Sequence, residues 1–272
     1  MKIRVATYNI HKGVSSFRST PRVLALKKAI GLFDANVVFL QEVQGRHDRH
    51  QARYGEKVRS PHHQWPEKAQ HEFFAGEGLH SAYGMNAVYD HGHHGNALLS
   101  AYPIANMHNH DISDHAYEQR CILHCILETE AGNVHCYVVH LGLFEGSRRR
   151  QTDALINCVK ESAGDNEPVI IAGDFNDWRN TLSDCLRLKL GVVEVFDELE
   201  RRSSRLGDLV RNVANRERRL VPARTFPAAL PWFRLDRIYV RGFKVEHAEV
   251  LHGPQWARLS DHAPIVANLQ LA

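Results

Sequence analysis

A single α/β domain is the fold class that this sequence predicts, on three observations. Residues 1–40 read strand, helix, strand. Short apolar runs recur to the end of the chain with amphipathic stretches between them, the pattern of strands alternating with helices. No internal repeat, low-complexity block or linker divides the 272 residues. Length alone would allow one or two domains of roughly 100–200 residues; the expected domain therefore spans 1–272.

Taken in order, residues 3–10 (IRVATYNI) alternate as a half-buried strand does. Thr20 and Pro21 are expected to open a helix, Thr as N-cap and Pro at the first helical position, with Leu24 and Ile30 following and Gly31 near its end. Residues 36–40 (NVVFL) form a continuous apolar run, suited to a strand covered on both faces. Residues 44–78 are polar, charged and punctuated by aromatics, and are expected to make a long surface excursion with a helical turn near 67–74. Strands are expected at 86–90, 96–100, 121–128 and 133–140. A helix at 147–162 carries Leu155, Ile156 and Val159 on one face. A buried strand at 168–173 (PVIIAG), a short helix within 179–189, and strands at 234–240 and 264–270 complete the pattern.

Composition narrows the function classes. The chain is 43% hydrophobic and 24% charged, ordinary for a globular protein. Its 34 basic and 31 acidic residues leave a net charge of +3, which neither demands nor excludes nucleic acid. The amino-terminal residues pass straight into the first strand pattern without a secretory signal. No window approaches the roughly 18 apolar residues of a membrane span. The five cysteines (121, 125, 136, 158, 185) include no CxxC pair. Cys121 and Cys125 fall on one side of a strand, as buried small hydrophobes would, and a reducing cytoplasm is the expected compartment. Nineteen histidines cluster around 47–71, 91–94 and 108–115. There is no HExxH, and those stretches read as loops, so an incidental solvated surface is expected rather than structural zinc.

Chemistry is expected where apolar runs end in polar residues. TYNI delivers Asn9 and His11, LQEV delivers Glu42, YVVHLG delivers His140, and VIIAGDFND delivers Asp174, Asn176 and Asp177. LSDHAPI places Asp261 and His262 just before the last strand. Strand ends join a rigid scaffold to free loops and are where α/β folds build sites. Glu42 and Asp261 are hard oxygen donors suited to Mg²⁺ or Mn²⁺. Asp174 beside Asn176 can hold and deprotonate a water, while His140, His262 and the amides of Asn9 and Asn176 can donate to phosphoryl oxygens. Asp236 can accept from a histidine ring and fix its tautomer. Asp177 and Asn180 read as caps of the following helix. Asn96 fits equally a turn after Gly95 and an orienting contact on the metal side. Trp178, Trp232 and Phe233 read as core or rim packing.

In this order, TYNIHKG, LQEV, GNALLS, VVHLG, GDFND, LDRIYV and LSDHAPI resemble the endonuclease/exonuclease/phosphatase superfamily, from Asn9 to Ile265. That group includes DNase I-like nucleases, bacterial sphingomyelinases and inositol polyphosphate 5-phosphatases. The resemblance implies a DNase I-like four-layer α/β sandwich, two packed mixed sheets flanked by helices, acting through Mg²⁺ or Mn²⁺. It implies Glu42 as principal metal ligand with Asn9 and Asp261, and Asp174 as the base with Asn176 beside it. It also implies His262 paired with Asp236, His140 as a phosphate contact, and Arg120 and Asn96 as substrate-side residues. His11 stands where nucleases of the group often carry an Asp, as in sphingomyelinase-like relatives, and is left out of the metal set.

The expected substrate is a small or lipid-derived phosphodiester. The alternative is DNA or RNA, gripped by Arg148–Arg149–Arg150, by Arg201, Arg202 and Arg205, or by Arg216, Arg218 and Arg219. Acidic residues interspersed in 201–219 fit a solvated helix equally well. Residues 227–233 (PAALPWF) are a candidate apolar loop near the site. A non-catalytic scaffold is disfavoured, because Glu42, Asp174, Asn176, Asp261 and His262 are all present. Nothing in the sequence marks an obligate protein partner.

Overall fold

The computed structural model describes residues 1–15, 20–55, 63–115, 117–210 and 223–272, with 203–210 described as backbone only. In chain order the elements are β1 (Lys2–Asn9), a 3₁₀ turn (His11–Gly13), α1 (Val23–Gly31), β2 (Val37–His47), α2 (Asp48–Tyr54), α3 (Gln70–Ala75), β3 (His80–Tyr89) and β4 (Gly92–Ser100). Then follow β5 (Ile104–Asp111), β6 (Cys121–Thr129), β7 (Gly132–His140), α4 (Glu145–Ser162), β8 (Val169–Asp174), α5 (Ser183–Leu190), β9 (Val193–Glu194) and α6 (Val195–Val210). The last are β10 (Asp236–Arg241), β11 (Phe243–Val250), α7 (Pro254–Ala257) and β12 (Ile265–Leu271).

Two mixed six-stranded sheets result, ordered β11-β12-β1-β2-β4-β3 and β5-β6-β7-β8-β10-β9. Among the described strands, only β1–β2 and β7–β8 pair in parallel. The side-chain period of two decides what each strand faces. Ile3 and Val5 of β1, Cys136 and Val138 of β7, Ile170 of β8 and Ile238 of β10 point into one core between the sheets. Ala6 and Tyr8 face the opposite way, into a layer with Leu26 and Phe33 from the α1 region and Trp256 of α7. Tyr137, Val139 and Ile171 face α4 and α5 through Leu155, Val159 and Leu186. The layers are thus helix, sheet, sheet, helix.

Several expectations are corrected. The first helix starts at Val23, not at Pro21: Arg22 is its N-cap, no side chain caps it, and Pro21 instead bridges Val14. Residues 44–78 are not one excursion, because β2 runs on to His47 and α2 and α3 follow it; residues 56–62 lie outside the described part. Strands β5 and β11 have no counterpart among the expected elements, and the strand expected at 86–90 is the end of the longer β3. Asp177 does not cap α5 at its N-cap position, which Leu182 holds; it ties the preceding loop by accepting from Leu182 N and Thr181 Oγ1. Asn180 accepts from Ser183 Oγ in the same loop. Nor are the histidines simply solvated. His47 lies 3.7 Å from His50 and 4.8 Å from His91, centroid to centroid, and His50 packs on Trp65. His124 and His135 are buried outright. The five cysteines are free, and no described helix is long and apolar enough to cross a membrane.

Candidate active site

The same alternation that fills the core builds the site. In β1 the inward row of Ile3 and Val5 continues through Thr7 to Asn9; in β7, Val134 and Val138 continue to His140; in β8, Ile170 and Ala172 continue to Asp174. Asp236 starts the inward row of β10 ahead of Ile238. Strand register then lines them up. His140 pairs with Asp174, and Asp174 with Asp236, so three polar residues sit side by side across three neighbouring strands.

Glu42 reaches the site by a different route. Val38 and Leu40 of β2 face the helix layer, and strict alternation would send residue 42 the same way. The pairing of β2 with β4 shifts between Leu40 and Val43, and Glu42 has φ 56. This bulge turns its carboxylate into the cavity between the sheets. The loop before β12 supplies the rest: Ser260 Oγ donates to Asn9 O at 2.7 Å and accepts from His262 N at 3.3 Å, tying the Asp261–His262 turn to the end of β1.

Asp174 is the focal group. Its Oδ1 accepts from Asn176 N at 3.0 Å and its Oδ2 from Asn9 Nδ2 at 3.2 Å. His140 Nε2 and His262 Nε2 approach the same Oδ2 at 3.6 and 3.7 Å. Burial raises the Asp174 carboxyl above the usual carboxylate range, outweighing the charge of His262 and the bonds from Asn176 and Asn9. His262 Nδ1 meets Asp236 Oδ2 at 2.8 Å. Burial works to lower this imidazole, but the charges of Asp236 and Asp174 and the bond to Asp236 together raise it, so it is held as a cation at neutral pH. His140 goes the other way: burial, then the Arg120 charge, push it well below its usual range, so it stays neutral. One cationic and one neutral imidazole therefore flank one carboxyl.

The cavity has a volume of about 420 Å³ and is lined by Glu42, Arg120, His140, Asp174, Asn176 and His262 on its polar side. Leu143, Trp178, Phe226, Phe233 and Leu235 line its apolar side. Leu143, Trp178 and Phe233 are also exposed, as are Phe144, Leu230 and Trp232 nearby in sequence. The 227–233 loop thus does adjoin the site. Arg120 lies beside Glu118, with Nη2 at 3.7 Å from Oε1. Asn176 Nδ2 donates to Leu141 O at 2.8 Å, committing one of its two protons there.

A divalent cation can be tested against these donors. Glu42 Oε2 is buried and hydrogen-bonded to nothing; Lys12 Nζ, at 3.7 Å, is an ion-pair neighbour only. A bare carboxylate oxygen in a cavity fits a hard cation that keeps most of its waters. Asn9 and Asp261 do not line the cavity but flank this corner. Asn9 Oδ1 accepts from His11 N at 3.1 Å and Asp261 Oδ1 lies 3.3 Å from His11 Nδ1, while His11 is raised by its bond to Asp261 and by the charges of Asp261 and Glu42. Among the described residues, Asp174, Asp236 and His262 form a tighter group, with ligand atoms all within 4.8 Å. That trio reads better as a proton network, since an ion on His262 Nε2 would have to displace a proton that the charges of Asp236 and Asp174 hold on the ring. The residues present fit a metal at Glu42.

Asn96 is the expected substrate-side residue that the structure takes out of the site. It is fully buried, and its Nδ2 donates to the Cys121 and Val138 carbonyls at 3.0 and 3.3 Å, bolting β4 to the second sheet. It lies in β4 opposite the Glu42 bulge, so it braces that corner from behind. Sequence reasoning missed Lys12 and the apolar wall of Leu143, Phe226 and Leu235; only the 227–233 apolar run hinted at the latter.

Residues 6–262 match the Endonuclease/Exonuclease/phosphatase family. The chain is 39% identical over 273 aligned positions to the protein YbhP of Escherichia coli strain K12, covering 98% of this chain and 96% of that protein. Among solved structures it is similar to the human Nocturnin catalytic domain with bound sulfate, at TM-score 0.68 and 18% identity over 100% of this chain and 95% of that one. A Bacteroides thetaiotaomicron mannosyl-6-phosphatase aligns at TM-score 0.68 and 17% identity over 99% and 100%. An endonuclease/exonuclease/phosphatase protein of Beutenbergia cavernae gives TM-score 0.68 and 17% identity over 100% and 72%. The chain belongs to the endonuclease/exonuclease/phosphatase family, whose fold is the one described above.

Proposed function

We propose that this protein is a Mg²⁺- or Mn²⁺-dependent phosphodiesterase of a small or lipid-derived substrate, working as one domain. The observation that carries the chemistry is the convergence of Asn9, His140 and His262 on the raised carboxyl of Asp174, in one cavity with the Glu42 oxygen that no hydrogen bond occupies. A carboxyl raised toward neutrality is a better base than an ordinary aspartate. Asp174 takes the proton of the attacking water while Asn9 and Asn176 hold its orientation. His262, kept cationic by Asp236, donates to a non-bridging phosphoryl oxygen, where charge builds up in the transition state. Neutral His140 and Arg120 donate to the others. Glu42, with Asn9 and Asp261 behind it, would hold a divalent ion, which when bound would supply charge neutralisation for the phosphoryl group.

The apolar wall supports the substrate reading: half the cavity suits a hydrocarbon or flat ring beside the phosphate. The basic triad raised for a nucleic acid offers little free charge. Arg148 is buried with its guanidinium over Trp178, Arg149 pairs with Glu145 at 2.6 Å, and Arg150 pairs with Asp114. Arg202 donates to Val245 O at 2.7 Å. Side chains of 205, 216, 218 and 219 lie outside the described residues. A cytoplasmic location is kept as part of this proposal, on the reduced cysteines.

The test is hydrolysis of bis-p-nitrophenyl phosphate, p-nitrophenyl phosphate, phospholipid vesicles, plasmid DNA and RNA, with Mg²⁺, Mn²⁺ or EDTA and with Asp174→Ala as control. Metal-dependent diester cleavage lost in the variant is expected, with DNA and RNA the poorest substrates. Preferred cleavage of DNA or RNA would select the nuclease reading; equal rates in Asp174→Ala would remove the site assignment.

A further inference from the structure

The helix-facing side of the second sheet carries a histidine group that takes no part in the catalytic cavity. His124 of β6 lies directly across from His108 of β5, and His110 follows His108 on the same face. Their ring centroids form a nearly equilateral triangle, 6.1 Å between His108 and His110 and 6.4 Å from each to His124. His124 is only 2% exposed, whereas His108 and His110 are open to solvent. The exposed Glu161, in the last turn of α4, is close enough to His110 for its charge to oppose the lowering by burial.

Proton bookkeeping singles out one atom. Glu167 Oε2 lies 3.2 Å from His135 Nε2, and His135 Nδ1 lies 3.1 Å from His124 Nε2. A carboxylate only accepts, so His135 carries its proton on Nε2 and leaves Nδ1 bare. That bare nitrogen accepts from His124 Nε2, which leaves His124 Nδ1 without a proton. This Nδ1 is buried and has no hydrogen-bond partner. Burial also keeps the ring neutral, its titration pushed down to about 4. An imidazole whose one nitrogen is backed by a chain ending in a carboxylate, and whose other nitrogen is bare, is arranged as metal-ligating histidines are.

We propose that His108, His110 and His124 form a second metal site for a borderline-soft divalent cation of the Zn²⁺ class. Imidazole donors suit such ions, whereas the oxygen donors at Glu42 suit a hard one. With nitrogens about 2.0–2.1 Å from the ion, three rings of a closed site stand roughly 5 Å apart, so this triangle is about 1 Å wide and closes by turning the two exposed rings. The His47–His50 pair also leaves a buried ring nitrogen, His50 Nδ1, without a partner, but its rings stack at 3.7 Å with no room between them, and His47 Nδ1 already accepts from His50 N. A bound ion would tie the edge strand β5 to β6.

The test is calorimetric titration of the full chain with Zn²⁺ alone as probe, in saturating Mg²⁺ to hold the catalytic cavity. Wild type is compared with His108→Ala/His110→Ala, whose altered side chains are exposed, and with Glu42→Ala. Wild type and Glu42→Ala should bind one equivalent that the double variant lacks or binds at least tenfold more weakly, and Zn²⁺ should raise the melting temperature of wild type more than that of the double variant. Equal stoichiometry and affinity in wild type and the double variant would overturn the site. So would loss of that equivalent in Glu42→Ala with the double variant unchanged, which would assign it to the cavity.

Discussion

At the scale of single residues, the pair His262–Asp236 is where a small change should have the clearest signature. Asp236 holds the imidazole protonated from a buried position, 2.8 Å from Nδ1. Asp236→Asn keeps the shape but removes the charge, so His262 should release its proton at lower pH. Turnover is expected to fall by roughly 10²–10⁴-fold, and the alkaline limb of the rate profile should move down in pH. An unchanged profile would mean that the pair does not act in the reaction. Glu42→Gln is expected to raise the Mg²⁺ needed for half-maximal rate on the order of tenfold or more, since one formal charge leaves the proposed principal ligand. Residues like Asn9, His140 and Asp174 were legible in the sequence because each extends the inward row of an apolar strand. Glu42 was legible only as a polar residue after such a run, because the bulge that redirects it depends on how β4 pairs with β2. The bracing role of Asn96 was hidden for the same reason: its partners, Cys121 and Val138, are distant in sequence.

At the scale of elements, the tight seam between β7 and β8 controls the alignment of His140 with Asp174. Gly173 sits in that seam at φ 150, and a Cβ there would run into the Val139 carbonyl. Gly173→Ala should therefore cost about 1–3 kcal/mol of stability, read from urea midpoints, and lower turnover as well by prising the two strands apart. Full stability with full activity would show that the seam gives more easily than its packing suggests. The mouth of the cavity makes a second case. Replacing either Trp178 or Phe233 by Ala should raise KM for a phospholipid substrate about tenfold or more while leaving bis-p-nitrophenyl phosphate less affected, since burying one aromatic contributes about 1.5–3 kcal/mol. Strands β5 and β11 escaped the sequence because both lie at sheet edges with largely exposed side chains, so neither shows a core-facing apolar row as long as those of the central strands.

At the scale of the whole molecule, buried and half-buried histidines set the acid limit. Burial pushes His50, His94 and His124 from 6.5 down to about 4. Folded-state values below the unfolded ones mean that, between about pH 6.5 and 4, the unfolded chain takes up protons that the fold refuses. Their contribution is complete above this window and is lost as pH falls through it; His140 and His71, also lowered by burial, act in the same direction, while Asp174 and Glu194, held high by burial, work in the opposite sense. The melting temperature of EDTA-treated protein should decline steadily from pH 7 to 4. A flat profile would show that these rings are not held neutral. The α/β class was legible from alternation alone, and the four layers followed from a family resemblance rather than from any periodicity, because which sheet a strand joins is decided by contacts across the chain.

The strand order has one more consequence, for synthesis. Every strand of the second sheet lies between residues 104 and 241, so that sheet is complete as a continuous stretch of chain. The first sheet is not: β12 sits between β1, at the other end of the described chain, and β11. Asp261 and His262 immediately precede β12. A ribosome would thus release a finished second sheet well before the cavity has its cationic histidine or the first sheet its closing strand. On the proposed site assignment, the nascent chain would stay chemically silent until residues 261–271 have emerged.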